Sequence, residues 1–204
     1  RRDGSPMRIL ITGASGLLGN KAVERALARG HEVFSAYKTH SPLQGKPVPL
    51  DLTGETAVRK TVREVQPETI INNAALTDVE LCETTPNLAI LINSTSVKNL
   101  VKAAAETNCF LVHVSTDYVF DGEKGDYCEE DEPRPVNKYG VTKLQGEEAV
   151  RSAPLDWCIA RTSVDYGWGR TPRPNAATYI YAKLSKKEKV SMDKDQYASQ
   201  TLNT

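Results

Sequence analysis

Residues 8 to 19 read RILITGASGLLG, and this short stretch limits the folds open to the chain more than any other. A brief apolar run breaks at Gly13, and an amphipathic helical pattern follows from Leu18 to Arg29. Leu18, Ala22 and Ala26 share one stripe, with Val23 and Leu27 beside it. Gly30 ends the pattern, as a glycine just beyond a helix C-terminus does. In a strand–turn–helix unit, Gly13 permits the tight turn, Gly16 lets the backbone approach a pyrophosphate, and Gly19 lets the helix pack close to the sheet. The helix start offers N–H groups and the positive end of its dipole to phosphates. Gly13, Ser15, Gly16, Leu17, Leu18 and Gly19 are therefore candidate cofactor-binding positions.

The remainder repeats the alternation. HEVFSAY reads as a second strand, followed by a proline-rich loop from Ser41 to Pro49. Residues 55 to 65 are helical and are punctuated by Pro67. TIINNAA is a third strand, and a long helix from Asn87 to Thr107 is expected to bury Leu88, Leu91, Ile92, Leu100, Val101 and Ala104. CFLVHVS is a fourth strand, an acidic loop covers 121 to 135, and a helix carrying Tyr139 follows. DWCIART is a fifth strand, and residues 176 to 187 read as a helix. Strands apolar on both faces that alternate with helices predict an α/β fold, a doubly wound parallel sheet of Rossmann type covered on both sides. Residues 1 to 6 read as an expression remnant before a natural start at Met7. Residues 7 to 164 read as a dinucleotide-binding domain. From about 165 the pattern weakens at Pro172, Pro174 and KLSKKEK, so 165 to 204 read as the start of a smaller C-terminal substrate lobe, cut short.

Charge and cysteine content narrow the function. The 26 basic and 26 acidic residues cancel, so nothing points to nucleic acid or an anionic membrane. The apolar runs are too short to span a bilayer, and the N-terminus has no apolar signal region. Cys82, Cys109, Cys128 and Cys158 lie far apart, as reduced thiols of a cytoplasmic protein do. With His31, His40 and His113 they make no metal-ligand spacing, so no metal is expected.

The chemistry is carried by NKYGVTKLQGE, residues 137 to 147. Tyr139 and Lys143 stand four positions apart and share a helical face. A free phenol holds its proton to about pH 10, and a neighbouring ammonium stabilises the phenolate and lowers that value. The pair thus suits a general acid that protonates a carbonyl oxygen as hydride arrives at its carbon. Ser115 and Thr116 end the fourth strand, where ligands of doubly wound sheets bind, and can hold that oxygen. At the end of the second strand, SAYKTH has Lys38 where NAD-binding chains carry a carboxylate for the ribose 2′-hydroxyl. A cation there suits a 2′-phosphate and favours NADPH; a solvated lysine, with NADH as the cofactor, is the other reading. LDL then supplies Asp51 and Leu52, by themselves an ordinary strand end.

In this order, the glycine cradle, the strand-end Ser-Thr and Tyr-x-x-x-Lys resemble the short-chain dehydrogenase/reductase superfamily, extended branch. The resemblance implies a Ser/Thr–Tyr–Lys triad in which Lys143 also anchors the nicotinamide ribose, and places Asp51 and Leu52 at the adenine. Asn93 resembles the superfamily's structural asparagine, or is an ordinary helix-surface amide. Sugar-nucleotide dehydratases of this branch carry Thr-Asp-Glu where this chain has Thr116-Asp117-Tyr118, which argues against dehydration. STDYVFDG, NKYGVTKLQGE, INNAALTDVELCE (71 to 83) and RTSVDYGWG (161 to 169) closely resemble the dTDP-4-dehydrorhamnose reductase family. That likeness implies reduction of a C4 ketone on a dTDP-linked deoxysugar, with Thr116 binding the carbonyl, Tyr139 the acid and Lys143 the anchor. Thr77, Val79 and Trp168 would line the sugar side, although Val79 and Trp168 serve equally as packing residues. Ala74 and Ala75 would lie under the cofactor. Asp165, Gln200 and TPRPNAA depart from the family pattern, and its members are normally longer. Two other functions share these residues: a 4-keto reductase or epimerase for another sugar nucleotide, and the non-catalytic regulatory beta subunit of methionine adenosyltransferase, whose partner would be the catalytic subunit. A homodimer is compatible with every reading.

Overall fold

The computed structural model describes residues 5–167, 175–191 and 201–202. Six parallel strands form the main sheet: β1 (Arg8–Thr12), β2 (Glu32–Tyr37), β3 (Lys46–Pro49), β4 (Thr69–Asn72), β5 (Phe110–Thr116) and β6 (Trp157–Thr162). Their spatial order is β3-β2-β1-β4-β5-β6. The chain direction of winding therefore reverses between β1 and β4, where Ile9 to Thr12 pair with Thr69 to Asn72. A crevice at the carboxyl ends of strands on either side of such a reversal is where doubly wound sheets take ligands.

The helices are α1 (Leu17–Ala28), α2 (Glu55–Val65), α3 (Val79–Thr84), α4 (Pro86–Ile90), α5 (Ser96–Thr107), α6 (Lys138–Arg151) and α7 (Ala176–Ser185). Strand side chains alternate between faces. Leu10, Ile70 and Leu111 join Val58, Val62, Leu100, Ala104 and Val150 in the larger core, under α2, α5 and α6. Ile9, Ile11 and Val33 pack on Val23 and Ala26 of α1 on the other face. A short parallel pair, β7 (Asp165–Tyr166) with β8 (Thr201–Leu202), stands apart from the main sheet.

Four expectations need correction. The proline-rich loop holds a strand, β3, because Pro47 and Pro49 fall on the sheet edge, where a missing N–H breaks no ladder. The two-sided cover is incomplete: among the described helices α1 alone packs on the second face, and Trp157 of β6 stays 39% exposed. The strands are not apolar throughout. Thr12, Ser35, Asn72, His113, Ser115 and Thr116 are all buried. Finally, Leu88 and Leu91 are each 39% exposed rather than buried. The long helix contains one wider π-type turn at Leu91–Thr95, which inserts a residue and rotates the face that follows. Ala89, Asn93, Ser94 and Val97 occupy the inner side instead.

That wide turn is also a packing point. A Cβ on Gly146 of α6 would lie 2.6 Å from the Asn93 carbonyl oxygen. Alanine favours a helix interior by about 1 kcal/mol over glycine. The contact is with backbone, however, so overpacking should prevail, and Gly146→Ala is expected to lower unfolding free energy by about 1–3 kcal/mol in urea titration. An unchanged or higher midpoint would show that α6 does not press on this turn.

Candidate active site

The cleft begins at the glycine turn. Gly13 has φ +62°, and a Cβ there would sit 2.9 Å from the Ala74 nitrogen of the neighbouring strand end. A Cβ on Gly19 would fall 2.1 Å from the Gly13 carbonyl oxygen, so α1 approaches the turn as closely as backbone can. Gly16 is the residue before α1, which starts with no side-chain cap and no acidic residue in its first turn. Its first turn thus puts no carboxylate of its own against the positive end that faces the cleft.

Two joined hollows extend from this turn. One, of about 330 Å³, is walled by Ala36, Leu50, Leu52, Ala74, Ile92 and Ser96, with Lys38 and Asp51 among its polar lining. The other, of about 680 Å³, runs past Leu17, Leu18 and Gly19 to Thr77, Val79, Thr116, Tyr139 and Lys143. Gly13, Ser15, Gly16, Asn73 and Ala75 line both, so the cradle is the bridge between them. Each candidate residue within the described chain thus faces one cleft. Trp168 and Gln200 lie outside the described residues.

Lys38 is not a solitary cation. Its Nζ lies 2.8 Å from Asp51 Oδ2, with both side chains well exposed. The Lys38 ammonium and the Thr53 N–H hold the Asp51 carboxyl down at about 2. Asp51 therefore contributes a fixed negative charge beside the very lysine expected to meet a phosphate.

At the other end, α6 presents Tyr139 and Lys143 as the spacing implies. Asn137 caps the helix by accepting from Gly140 N at 2.8 Å. Tyr139 is 8% exposed and meets the Tyr118 ring edge-on, with centroids 5.5 Å apart. Lys143 is 2% exposed, and its Nζ donates to the Val114 carbonyl at 2.7 Å. Burial brings its pKa from the ordinary 10.5 down to about 8, against the opposing charge of Glu147. The expected lowering of the Tyr139 pKa is reversed: burial raises it to about 12, a hydrogen bond with Thr116 opposes this, and Asp117 adds to it. A lone ammonium on the shared face does not outweigh desolvation of the phenolate.

Thr116 is the strand-end hydroxyl facing the phenol. It accepts from Tyr118 N at 3.2 Å and donates to Asp117 Oδ1 at 3.1 Å. Ser115, the residue before it on the strand, is buried and lines the same hollow. Asn93 is fully buried and no surface amide: it accepts from Leu76 N at 2.8 Å and donates to Leu76 O at 3.0 Å and to Thr142 Oγ1 at 3.1 Å. It ties the segment carrying Ala75 and Thr77 to α6. Val79 both packs beside Cys82 and Tyr139 and lines the larger hollow, so its two readings coexist. Asn73, Tyr118, Asp165 and Asn175 also line the cleft. Sequence reasoning did not single them out as site residues, since polar loop residues carry no periodic signal. No group of acidic, histidine and cysteine residues fit for a metal occurs among the described residues. No helix among them is long and apolar enough to cross a membrane, and all four cysteines are free thiols.

A reversed parallel sheet, a glycine cradle at the reversal and a buried Tyr–Lys pair beside a strand-end Thr define the extended short-chain dehydrogenase/reductase class. The chain belongs to the family described as the RmlD substrate binding domain, whose model matches residues 7–203. It is 39% identical over 163 residues to the probable low-salt glycan biosynthesis reductase Agl14 of Haloferax volcanii, covering 79% of this chain and 54% of that protein. It is 39% identical over 171 residues to a dTDP-4-dehydrorhamnose reductase of Mycolicibacterium smegmatis, covering 83% and 49%. It is also 37% identical over 179 residues to methionine adenosyltransferase 2 subunit beta of Rattus norvegicus, covering 87% and 52%. The chain thus spans about half the length of these relatives. Among solved structures, a hypothetical dTDP-4-dehydrorhamnose reductase from Sulfolobus tokodaii superposes with TM-score 0.80 at 40% identity, over 90% of this chain and 64% of that one. The Bacillus anthracis dTDP-4-dehydrorhamnose reductase, in complex with NADP, gives 0.76 at 32% identity, over 91% and 62%.

The Lys143 shift has a thermodynamic consequence. An amine whose folded pKa is depressed binds fewer protons folded than unfolded between the two values, so stability rises with pH across that window. From about pH 8 to the ordinary 10.5, Lys143 should add up to about 3 kcal/mol. Urea titrations of the parent and Lys143→Met at both ends of the window should differ in this rise, the variant lacking it. Equal rises would mean that Lys143 is not desolvated.

Proposed function

We propose that this protein reduces the C4 ketone of a dTDP-linked 6-deoxysugar with NADPH, NADH serving less well. The observation that carries this is the single cleft in which the glycine cradle opens directly onto Thr116, Tyr139 and Lys143. The cradle fits a dinucleotide, because Gly13, Ser15 and Gly16 line both hollows at the start of α1, where Gly16 puts no side chain in the approach to the helix N-terminus. Ser15, Gly16, Leu17 and Leu18 would hold the pyrophosphate, and Ala74 and Ala75 offer little bulk beneath the cofactor. Asp51 and Leu52 would border the adenine. When bound, a reduced nicotinamide supplies hydride.

The chain's own residues supply the rest. Thr116 would hydrogen-bond the ketone oxygen. Tyr139, whose phenol stays protonated at neutral pH, would give its proton to that oxygen as negative charge gathers there. Lys143 would steady the phenolate left behind and hold the ribose. Thr77 and Val79, and Trp168 under the family resemblance, would meet the sugar. Tyr118 in place of a second carboxylate beside Asp117 disfavours loss of water. Reduction or epimerisation of another sugar nucleotide would use the same centre.

A second reading rests on the methionine adenosyltransferase beta subunits, similar to this chain at 35–37% identity. Under it the cleft holds a dinucleotide while another surface binds a catalytic synthetase subunit. Stable co-elution with such a subunit, without ketone-dependent oxidation of NADPH, would favour it.

Mixing the protein with NADPH and dTDP-4-dehydrorhamnose and following nicotinamide absorbance tests the reductase reading; a rate no greater than background would defeat it. Tyr139→Phe should cut turnover by about 100-fold or more while NADPH binding, followed by fluorescence, stays within about twofold. Lys38→Ala should weaken NADPH about tenfold and NADH much less, since it removes a charge-assisted contact and leaves Asp51 unpaired. An unchanged NADPH/NADH ratio would remove Lys38 from cofactor choice.

A further inference from the structure

Helix α6 carries another buried ionisable side chain, one turn beyond Lys143. Glu147 is fully buried, and both its oxygens are engaged. Oε1 accepts from Arg161 Nε at 3.0 Å, and Oε2 accepts from Arg161 Nη2 and Arg151 Nη2, each at 2.8 Å. The fork from Arg161 fixes the carboxylate in the plane of the guanidinium. Arg161 itself, on β6, lies 4.9 Å from the centroid of Phe120, just past the turn that bears Asp117 and Tyr118. One guanidinium thus joins the helix of Tyr139 and Lys143 to the strand and the turn that complete the cleft.

We propose that Glu147 is a positioning residue: anchored by Arg161, it supplies the counter-charge that keeps Lys143 an ammonium at the Val114 carbonyl, behind the Tyr139 phenol. Its consequence for turnover rests on the reductase reading above; its effect on Lys143 does not.

Few groups compete for this role. On α6, Tyr139 stands a turn before Lys143, and Glu147 and Arg151 follow it. From β5 comes His113, which burial and the Lys143 charge hold neutral, its pKa well below the ordinary value. From β6 comes Arg161, engaged with Glu147. Asp117 and Asp165 line the cleft beyond the strand ends, and burial together with Asp117 raises the Asp165 carboxyl. Burial favours the neutral amine of Lys143, and the Glu147 charge opposes it. Although burial disfavours its charge, Glu147 is held ionised by Arg161 and Arg151. With that charge removed, burial acts unopposed beside two guanidiniums, so the ammonium is lost at lower pH.

The test is an NMR titration of the full chain labelled with ¹³C-lysine, with the Lys143 resonance assigned by its loss in Lys143→Arg. Glu147→Gln is expected to move the Lys143 midpoint down by about one pH unit or more. Glu147→Asp, which keeps the charge, should restore most of it. If Glu147→Gln does not fold because Arg161 is left unpaired, Glu147→Gln with Arg161→Gln removes both charges, and a smaller downward move is expected, because one repelling guanidinium is gone as well. A folded variant lacking the Glu147 charge whose Lys143 titrates with the parent overturns the proposal, leaving Glu147 a packing element that affects only Tm. The alkaline limb of turnover should move with the NMR midpoint. A midpoint moved by Glu147→Gln, together with a parent that never oxidises NADPH, would defeat the reductase reading and leave the Glu147 role standing.

Discussion

Helix α6 touches backbone at two places where it has no side chain. A Cβ on Gly140 would stand 2.1 Å from the Tyr118 carbonyl oxygen, and one on Gly146 would stand 2.6 Å from that of Asn93. These two contacts press the helix onto the turn after β5 and onto the wide turn before α5. The other features of the cleft follow from that pressure. Tyr139 precedes the first contact and Lys143 lies between the two, so both side chains are carried under the sheet edge rather than into solvent. Asn93 can then reach Thr142 across the same gap. A helix held further out by the width of a water molecule would leave the phenol and ammonium hydrated, and neither would have the perturbed affinity for protons that the buried pair has.

Much of this was legible in the sequence, because its signals are local and periodic. The Gly13–Gly19 turn, the alternation of strands and helices and the i, i+4 pair Tyr139/Lys143 each rest on a short window whose geometry allows few alternatives. What escaped was decided at a distance. Leu88 and Leu91 look like core residues on an ideal helix, and the π-type turn that rotates them outward is visible only once Asn93 has found Leu76. Pro47 and Pro49 argue against a strand until the sheet places them on its edge. The sign of the Tyr139 shift was misjudged because the spacing shows which charge is near and not how much water has been removed. Glu147 and Arg161, fourteen positions apart, meet only because β6 pairs beside β5.

Polar groups at the tips of the central strands form a buried layer of their own. Thr12 donates to Asn72 Oδ1 at 2.5 Å, and Asn72 Nδ2 lies 3.0 Å from His113 Nδ1, linking β1, β4 and β5 beneath the cradle. Glu147, Arg161 and Arg151 extend the layer behind α6. Buried polar groups are tolerated when partnered, and once partnered they resist sliding, because any shift in register leaves a donor or acceptor unmet. An apolar core would pack these strands as well, but it would fix the strand ends less uniquely. The cleft floor is therefore set by hydrogen-bond complementarity, whereas the sheet centre is set by shape.

The same energetics bear on whether such a cleft merely holds a ligand. A nucleotide-binding fold needs the cradle and the apolar walls, and both are present. It does not need an ammonium withdrawn from water one helical turn from a withdrawn phenol. Desolvating the Lys143 charge opposes folding at neutral pH, and the Glu147 charge only partly offsets that cost. Titratable groups perturbed by burial and placed together in a cleft are the pattern expected where protons are to be moved. Structural ion pairs also perturb pKa values, but a structural lysine has no reason to share its hollow with Thr116, Tyr139 and the glycine turn. The energetic cost sits where a reduction would need a proton, and this favours chemistry over binding alone.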